Sequence, residues 1–237
     1  MPVLIDALIL FGGYNLSGDL NKVAMDLSAG EETDTTFGDT YHSRPGAQMA
    51  DVAAMVEGYW QSATLNAPDP QAFTALGTAG NVLTIADLST TGATTYQLGA
   101  HVGKYAQEDP IGSVRPFSLD SSGSSGVGPC RGRLLLPVTS LSGNTTGTGY
   151  QLGAVTADQK VYASIHVLTA GTTASVIVES DDNSGFTSAT TRSTTVVTAV
   201  GGTLVTPVSG AITDDWWRVR VASVTGSFVI AAAVGIK

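Results

Sequence analysis

Side chains with intrinsic reactivity are few in this chain, and their spacing speaks against an active centre. His42, His101 and His166 are spread along the sequence, and none stands at a ligand spacing from Cys130 or from another histidine. A structural zinc site needs three or four such ligands in short-range pairs. Asp181-Asp182-Asn183 supplies clustered oxygens of the kind calcium prefers, yet it lacks the full EF-hand spacing and is made of ordinary turn residues. The adjacent acids Glu31/Glu32 and Glu108/Asp109 could in principle serve glycoside hydrolysis, but neighbouring acids in polar loops are normally solvated surface. Gly123, Gly126 and Gly128 have neither the strand-to-helix context nor the lysine of a phosphate cradle, and no G-x-S-x-G nucleophile elbow occurs. The single Cys130 cannot form an intrachain disulfide and reads as a small apolar filler in a strand. The expectation is a chain that is not an enzyme and carries no cofactor or metal.

The elements that frame these residues are strands. Val23, Met25 and Leu27 alternate with Lys22, Ala24 and Asp26, the period-2 signature of a half-buried strand. A polar, acidic stretch follows from Ser28 through Asp39, closed by Pro45-Gly46. A loop of about twenty residues inside a domain is unusual and tends to be functional or interfacial. Ala47–Trp60 is ambiguous on its residues alone: Met49, Val52, Ala53, Val56 and Trp60 suit a helix, whereas Val52, Ala54, Val56 and Trp60 share one face of a strand. Asp69-Pro70 opens a short helix that ends at Gly77, and Asn81–Leu88 fits a helical turn or a strand.

Farther along, Val161, Ala163, Ile165 and Val167 alternate with Tyr162, Ser164, His166 and Leu168, and Gly171-Thr172-Thr173 predicts a hairpin into Ala174–Glu179. Trp217, Val219 and Val221 alternate with Trp216, Arg218 and Arg220, and Thr225-Gly226-Ser227 turns the chain into Phe228–Ile236. That last segment is apolar on both faces, so it belongs at the centre of a sheet or between two sheets. In the pairs Tyr59-Trp60 and Trp216-Trp217, strand geometry sends one ring inward and the other to the surface or an interface. Tyr96-Gln97-Leu98-Gly99-Ala100 recurs as Tyr150-Gln151-Leu152-Gly153-Ala154, either a relic of duplication or two similar strand entries, with no solenoid period.

Composition sets the outer bounds. The 237 residues include 43% hydrophobic and only 13% charged side chains, with 28 glycines. A β-protein with many turns needs such glycine, and a low charge content points to surface covered by other subunits. Net charge is −9. Most of it lies in the first sixty residues, which disfavours nucleic-acid binding through a basic patch. Val3–Phe11 is apolar but interrupted by Asp6 and too short to cross a bilayer, so the expectation is a soluble protein that is not exported.

Several stretches resemble the major tail tube proteins of long-tailed bacteriophages. They are Leu16-Ser17-Gly18-Asp19-Leu20, the strand through Asp26, Thr35-Thr36-Phe37-Gly38, Arg44-Pro45-Gly46 and Glu57-Gly58-Tyr59-Trp60. Gly185-Phe186, Thr191-Arg192, Asp214-Asp215-Trp216-Trp217-Arg218-Val219 and the strand ending at Gly235-Ile236 also look like phage structural proteins of this group. The resemblance implies a mainly β fold: a β-sandwich or barrel of the tail-tube type, with one or two short helices and a long acidic inter-strand loop, over residues 1–237 as one elaborated domain. It implies that Ala47–Trp60 is a strand. It further implies rings, typically hexameric, stacked into a hollow tube for DNA delivery, located in the virion tail after synthesis in the host cytoplasm. The loop reaching the next ring would carry Glu31, Glu32, Asp34, Thr36, Phe37, Asp39 and Arg44. Asp19, Asp26, Asp51 and Glu57 are the acids expected to face the lumen. Implied partners are further copies of the chain, a tape measure protein, a tail terminator and DNA that passes without specific binding, with no membrane. The alternatives are a capsid decoration or head-associated protein, and a carbohydrate-binding adhesin using Trp216 or Trp60.

Overall fold

The computed structural model describes residues 6–29, 50–65, 67–107, 114–124 and 128–237. The chain is mainly β, its sheets are antiparallel, and one helix occurs among the described residues. The first half holds β1 (Leu8–Phe11), β2 (Tyr14–Asn15), β3 (Leu20–Ala29), β4 (Ala50–Tyr59), α1 (Pro68–Ala75), β5 (Asn81–Ala86), β6 (Thr94–Gln107), β7 (Pro116–Gly123) and β8 (Cys130–Leu141). The second half holds β9 (Thr145–Thr146), β10 (Tyr150–Gln151), β11 (Lys160–Thr169), β12 (Thr173–Asp181), β13 (Thr190–Val197), β14 (Gly201–Leu204), β15 (Val208–Ser209), β16 (Trp216–Thr225) and β17 (Phe228–Ile236).

The long strand β6 is where the larger sheet forks. One of its edges carries β5, from Asn81 opposite Ala100 to Ala86 opposite Thr95. Its other edge carries β8 along Thr94–Gln97 and then β7 from Ala100 onward. One branch therefore runs β8-β17-β11-β14, and the other runs β7-β4-β3. A smaller sheet, β10-β16-β12-β13 with β9 against β16, covers the first branch.

Apolar packing fills the three gaps between these layers. Trp217, Val219 and Val221 of β16 belong to one cluster with Leu135, Ile165, Ile230 and Val234 of the β8-β17-β11 layer. The reverse face of that layer supplies Leu134 and Ala231, which cluster with Leu8, Leu10 and Ala86. Ile9, Phe11, Leu83 and Leu98 face the other way and cluster with Val52, Val56, Phe117, Leu119 and the helix residues Ala72 and Ala75. Because β1 alternates between two cores, all four of its side chains are buried.

Local chemistry explains several boundaries. Pro68 and Pro70 fit the first turn of α1, where an N–H would have no intrahelical partner, and Asp69 complements the positive helix end. Gly77, at φ +74°, stops the helix and donates its N–H to the Val102 carbonyl at the edge of β6. Ala50–Tyr59 is a strand in spite of its helix-forming residues, because β3 and β7 flank it and its even positions feed one core. Gly58 admits no side chain, since a Cβ there would lie 2.1 Å from the Asp19 carbonyl oxygen. Asn81–Ala86 resolves to a strand.

One sequence expectation is overturned. Val161–Val167 and Ala174–Glu179 do not form a hairpin, because β11 pairs with β14, β15 and β17 while β12 pairs with β13 and β16. The 170–172 connection instead crosses between sheets, as Thr225-Gly226-Ser227 does between β16 and β17. Strand β17 lies between β11 and β8 with its interior buried on both faces, as its continuous apolar run predicts. No helix among the described residues is long and apolar enough to cross a membrane.

Candidate functional site

Among the described residues, the surface best suited to a role beyond folding is the four-stranded sheet β3-β4-β7-β6. Cross-strand pairing fixes its two faces. Val23 opposite Val56, Met25 opposite Ala54 and Leu27 opposite Val52 make the inner face. Lys22 opposite Glu57, Ala24 opposite Met55, Asp26 opposite Ala53 and Ser28 opposite Asp51 make the outer one. Across β4 the outer face continues through Ser118, Asp120 and Ser122, and then through Lys104 and His101. It is a polar sheet face of small side chains and scattered charge.

Two of its carboxylates are neutralised by neighbours. Lys22 Nζ lies 2.8 Å from Glu57 Oε1, and Lys104 Nζ lies 3.8 Å from Asp120 Oδ2. Both pairs are exposed, so each contributes about 0–1 kcal/mol. Asp26 and Asp51 are exposed and have no cationic partner among the described residues; Asp51 Oδ1 accepts the N–H of Val52 at 2.7 Å. The residues proposed from sequence for the lumen thus separate into two groups. Asp26, Asp51 and Glu57 share one face, whereas Asp19 sits on the turn before β3, where its Oδ1 accepts from Gln61 Nε2 at 2.5 Å. The residues expected from sequence to reach the next ring, Glu31, Glu32, Asp34, Thr36, Phe37, Asp39 and Arg44, lie outside the described residues, as do His42 and the acids Glu108 and Asp109.

The edges of this sheet are also distinctive. β3 pairs with β4 alone, so ten residues of backbone present an unpaired edge among the described residues. At the opposite side, β5 ends opposite Ala100, and Leu76–Thr78 covers only the Val102 position of β6. Residues 103–107 of β6 are therefore paired on one side only among the described residues. Near that end Tyr105 donates to Asp69 Oδ1 at 2.5 Å, and burial followed by this carboxylate pushes the phenol up to about 12.

Other polar groups prove to be structural. His166 is fully buried between layers: its Nδ1–H donates to the Gly12 carbonyl at 2.7 Å, and its Nε2 accepts from Thr84 Oγ1 at 2.8 Å. A carbonyl can only accept, which fixes the tautomer. Ser164 Oγ, 2.9 Å from Thr84 Oγ1, extends the chain of bonds. Burial pushes the imidazole down to about 4, so it is neutral near pH 7. Burial likewise pushes the Cys130 thiol up to about 11. Asp181 is buried and accepts from Ser188 N at 2.8 Å and Asn183 Nδ2 at 3.0 Å. Burial alone would raise its carboxyl, but the Ser188 amide and the other bonds outweigh that and hold it below its ordinary value. The Asp181-Asp182-Asn183 stretch thus orders its own turn. Among the described residues, no three His, Cys, Asp or Glu side chains are grouped so as to hold a metal ion.

The aromatic pairs behave unequally. Trp217 is buried and its Nε1–H donates to the Gly153 carbonyl at 3.0 Å, while Trp216 is half-buried. Tyr59 is exposed, and the Trp60 ring is covered by the Arg115 guanidinium at 4.4 Å. Sequence reasoning missed the Glu179 cluster, where Arg218 Nε lies 2.5 Å and Arg220 Nε 3.2 Å from the same buried carboxylate, with Arg218 stacked 4.1 Å over Phe186. Glu179 and both arginines lie on alternate positions of adjacent strands, a signal visible only once β12 and β16 are known to pair.

No family model matches this chain, and no curated protein matches it. It is similar to a solved chain from the virion of a native gene transfer agent (GTA) particle, at 13% identity, over 52% of this chain and 95% of that one, with a TM-score of 0.40. It is also similar to a chain from the tail of an empty GTA particle with C6 symmetry, at 11% identity, over 46% and 80% of the two chains, with a TM-score of 0.38. A third similar structure is the SPP1 Dit (gp 19.1) protein, described as a paradigm of the hub adsorption apparatus in phages infecting Gram-positive hosts. It shares 12% identity over 96% of this chain and 98% of that one, with a TM-score of 0.39. These neighbours are thus a virion component, a tail component and a phage adsorption-hub protein.

Proposed function

We propose that this chain is a structural subunit of a phage-type tail tube, in which residues 1–237 act as one body and copies join side by side into rings that stack into a hollow conduit. The observation that carries this reading is the β3-β4-β7-β6 sheet, which among the described residues is open along β3 and along residues 103–107 of β6 and is bare on one face. Long open edges are an aggregation hazard unless something covers them. Its strands alternate in direction, so β3 of one copy meeting β6 of the next continues the antiparallel pattern. Such a contact is head-to-tail, and it closes into a ring when the rotation between copies permits.

In this arrangement the bare outer face lines the lumen. Glu57 stays paired with Lys22, while Asp26 and Asp51, which no cation neutralises among the described residues, are then repeated around one axis, six times over in a hexameric ring. Their summed field repels the phosphates of passing DNA over about 8–10 Å at physiological salt and so keeps it from sticking. The adhesin alternative is less well supported, since the Trp60 ring is stacked under Arg115 and Trp216 is half-buried rather than an open platform.

Negative-stain imaging of the purified chain tests the reading. Hollow rings or tubes are expected, and Asp26→Lys/Asp51→Lys should still assemble while retaining DNA in a salt-dependent way, because new lysines gain phosphate contacts. Dispersed monomers at high concentration would overturn the tube assignment.

A further inference from the structure

We propose that a groove at the strand ends of β8 and β17 receives the acidic 31–39 segment of a second copy, an inference that rests on the tube reading and names the receiving surface. The starting point is how cations are distributed in a chain of net charge −9. Lys22, Lys104, Arg192, Arg218 and Arg220 each face a carboxylate. Arg131, Arg133, Lys160 and Lys237 have no carboxylate partner among the described residues, and they gather at one end of the β8-β17-β11 layer.

Arg131 and Arg133 occupy alternate positions of β8 and so share a face. With Tyr150, Gln151, Leu152 and Ile236 they line a groove floored by Gly132 and Gly235. The floor is tight, since a Cβ at Gly132 would lie 2.2 Å from the Val234 carbonyl oxygen. Arg133 is held in position: Nη1 donates to the Gly92 carbonyl at 3.1 Å and to Thr94 Oγ1 at 2.9 Å, and the guanidinium stands 5.2 Å from the Tyr150 ring centroid. Arg131 is exposed and its guanidinium has no partner among the described residues. Lys237 Nζ, bonded to the Pro129 carbonyl at 3.2 Å, stands at the rim. A fixed arginine beside a free one suits a pair of carboxylates, because each guanidinium presents a planar fork of donors.

Charge complementarity selects the occupant. Glu31, Glu32, Asp34 and Asp39 are four acids with no base among them, the densest acidic stretch of the chain. Half of the segment between β3 and β4, roughly ten residues, can span at most about 33–36 Å, a reach sufficient to bridge to an adjoining copy.

Charge reversal in the full-length chain tests this by sedimentation velocity. Arg131→Glu and the separate Glu31→Lys/Glu32→Lys variant should each keep the wild-type circular dichroism while weakening self-association by about tenfold or more. An equimolar mixture of the two should associate more strongly than either variant alone, since the native segment of one fits the native groove of the other. Wild-type assembly by Arg131→Glu, or a mixture that associates no better than its components, would overturn the proposal and leave the tube reading standing. If the wild-type chain itself never assembles, the tube reading fails, and a synthetic peptide of residues 28–48 then probes the groove directly. Its binding to the wild-type chain but not to Arg131→Glu supports the groove, and equal or absent binding overturns it.

Discussion

Strands β17 and β3 have similar lengths and opposite fates. The interior of β17, from Ile230 to Gly235, is buried throughout, with β11 and β8 on its edges and a packed layer on each face. Among the described residues β3 has a partner on one edge only, and its outer positions Lys22, Ala24, Asp26 and Ser28 are all exposed. The inner face of β3 is not fully covered either, since Leu27 is 50% exposed beyond the end of the core. The contrast separates two jobs within one chain. The interior of the β8-β17-β11 layer is finished by folding alone, and the β3-β4-β7-β6 sheet is left with backbone and apolar surface that nothing covers among the described residues.

Mutations should divide along the same line. Trp217→Ala removes a fully buried ring and its bond to Gly153, and is expected to cost about 3–5 kcal/mol of stability in urea titrations. Leu27→Ala should stay within about 0.5 kcal/mol in the same assay, as an exposed position does. A comparable loss at the two sites would break the distinction between a finished and an unfinished region.

A somewhat smaller effect is expected from acid at the junction between layers. His166 is neutral in the fold with its pKa pushed from 6.5 down to about 4, so the unfolded chain takes up the proton first. Its contribution is complete above the unfolded value, falls as pH drops through the window from 6.5 to about 4, and levels off below it. The loss across that window is on the order of 3 kcal/mol. His166→Gln should flatten this part of the stability–pH curve, measured by denaturant unfolding at a series of pH values. An unchanged slope would show that the histidine does not carry it.

The sequence carried the strands more clearly than their partners. Period-2 alternation identified β3, β11 and β16, and the two-faced apolar run of Phe228–Ile236 correctly implied a central strand. The short Gly171-Thr172-Thr173 connection suggested a hairpin, yet turn residues do not say whether the next strand returns to the same sheet. Here Gly171 packs tightly against Phe228 and the backbone of Thr225 and Ser227, so the chain crosses layers instead. His166 had no signal, because its partners Gly12 and Thr84 are some 154 and 82 residues away. The repeated Tyr-Gln-Leu-Gly-Ala motif lies wholly inside β6 in one copy and only begins at β10 in the other, so equal residues take different structures. The alternation of Asp26, Asp51 and Glu57 with apolar neighbours was legible, and the shared face emerged only from the register of β3 on β4.

Hydrogen exchange along β3 tests the central claim most directly. In the assembled protein, the β3 amides that point away from β4 should exchange as slowly as those of β17, and dilution to the free chain should release β3 while leaving β17 protected. Fast exchange of those β3 amides in the assembled state, or slow exchange in the free chain, would contradict an edge that is completed by a neighbouring copy.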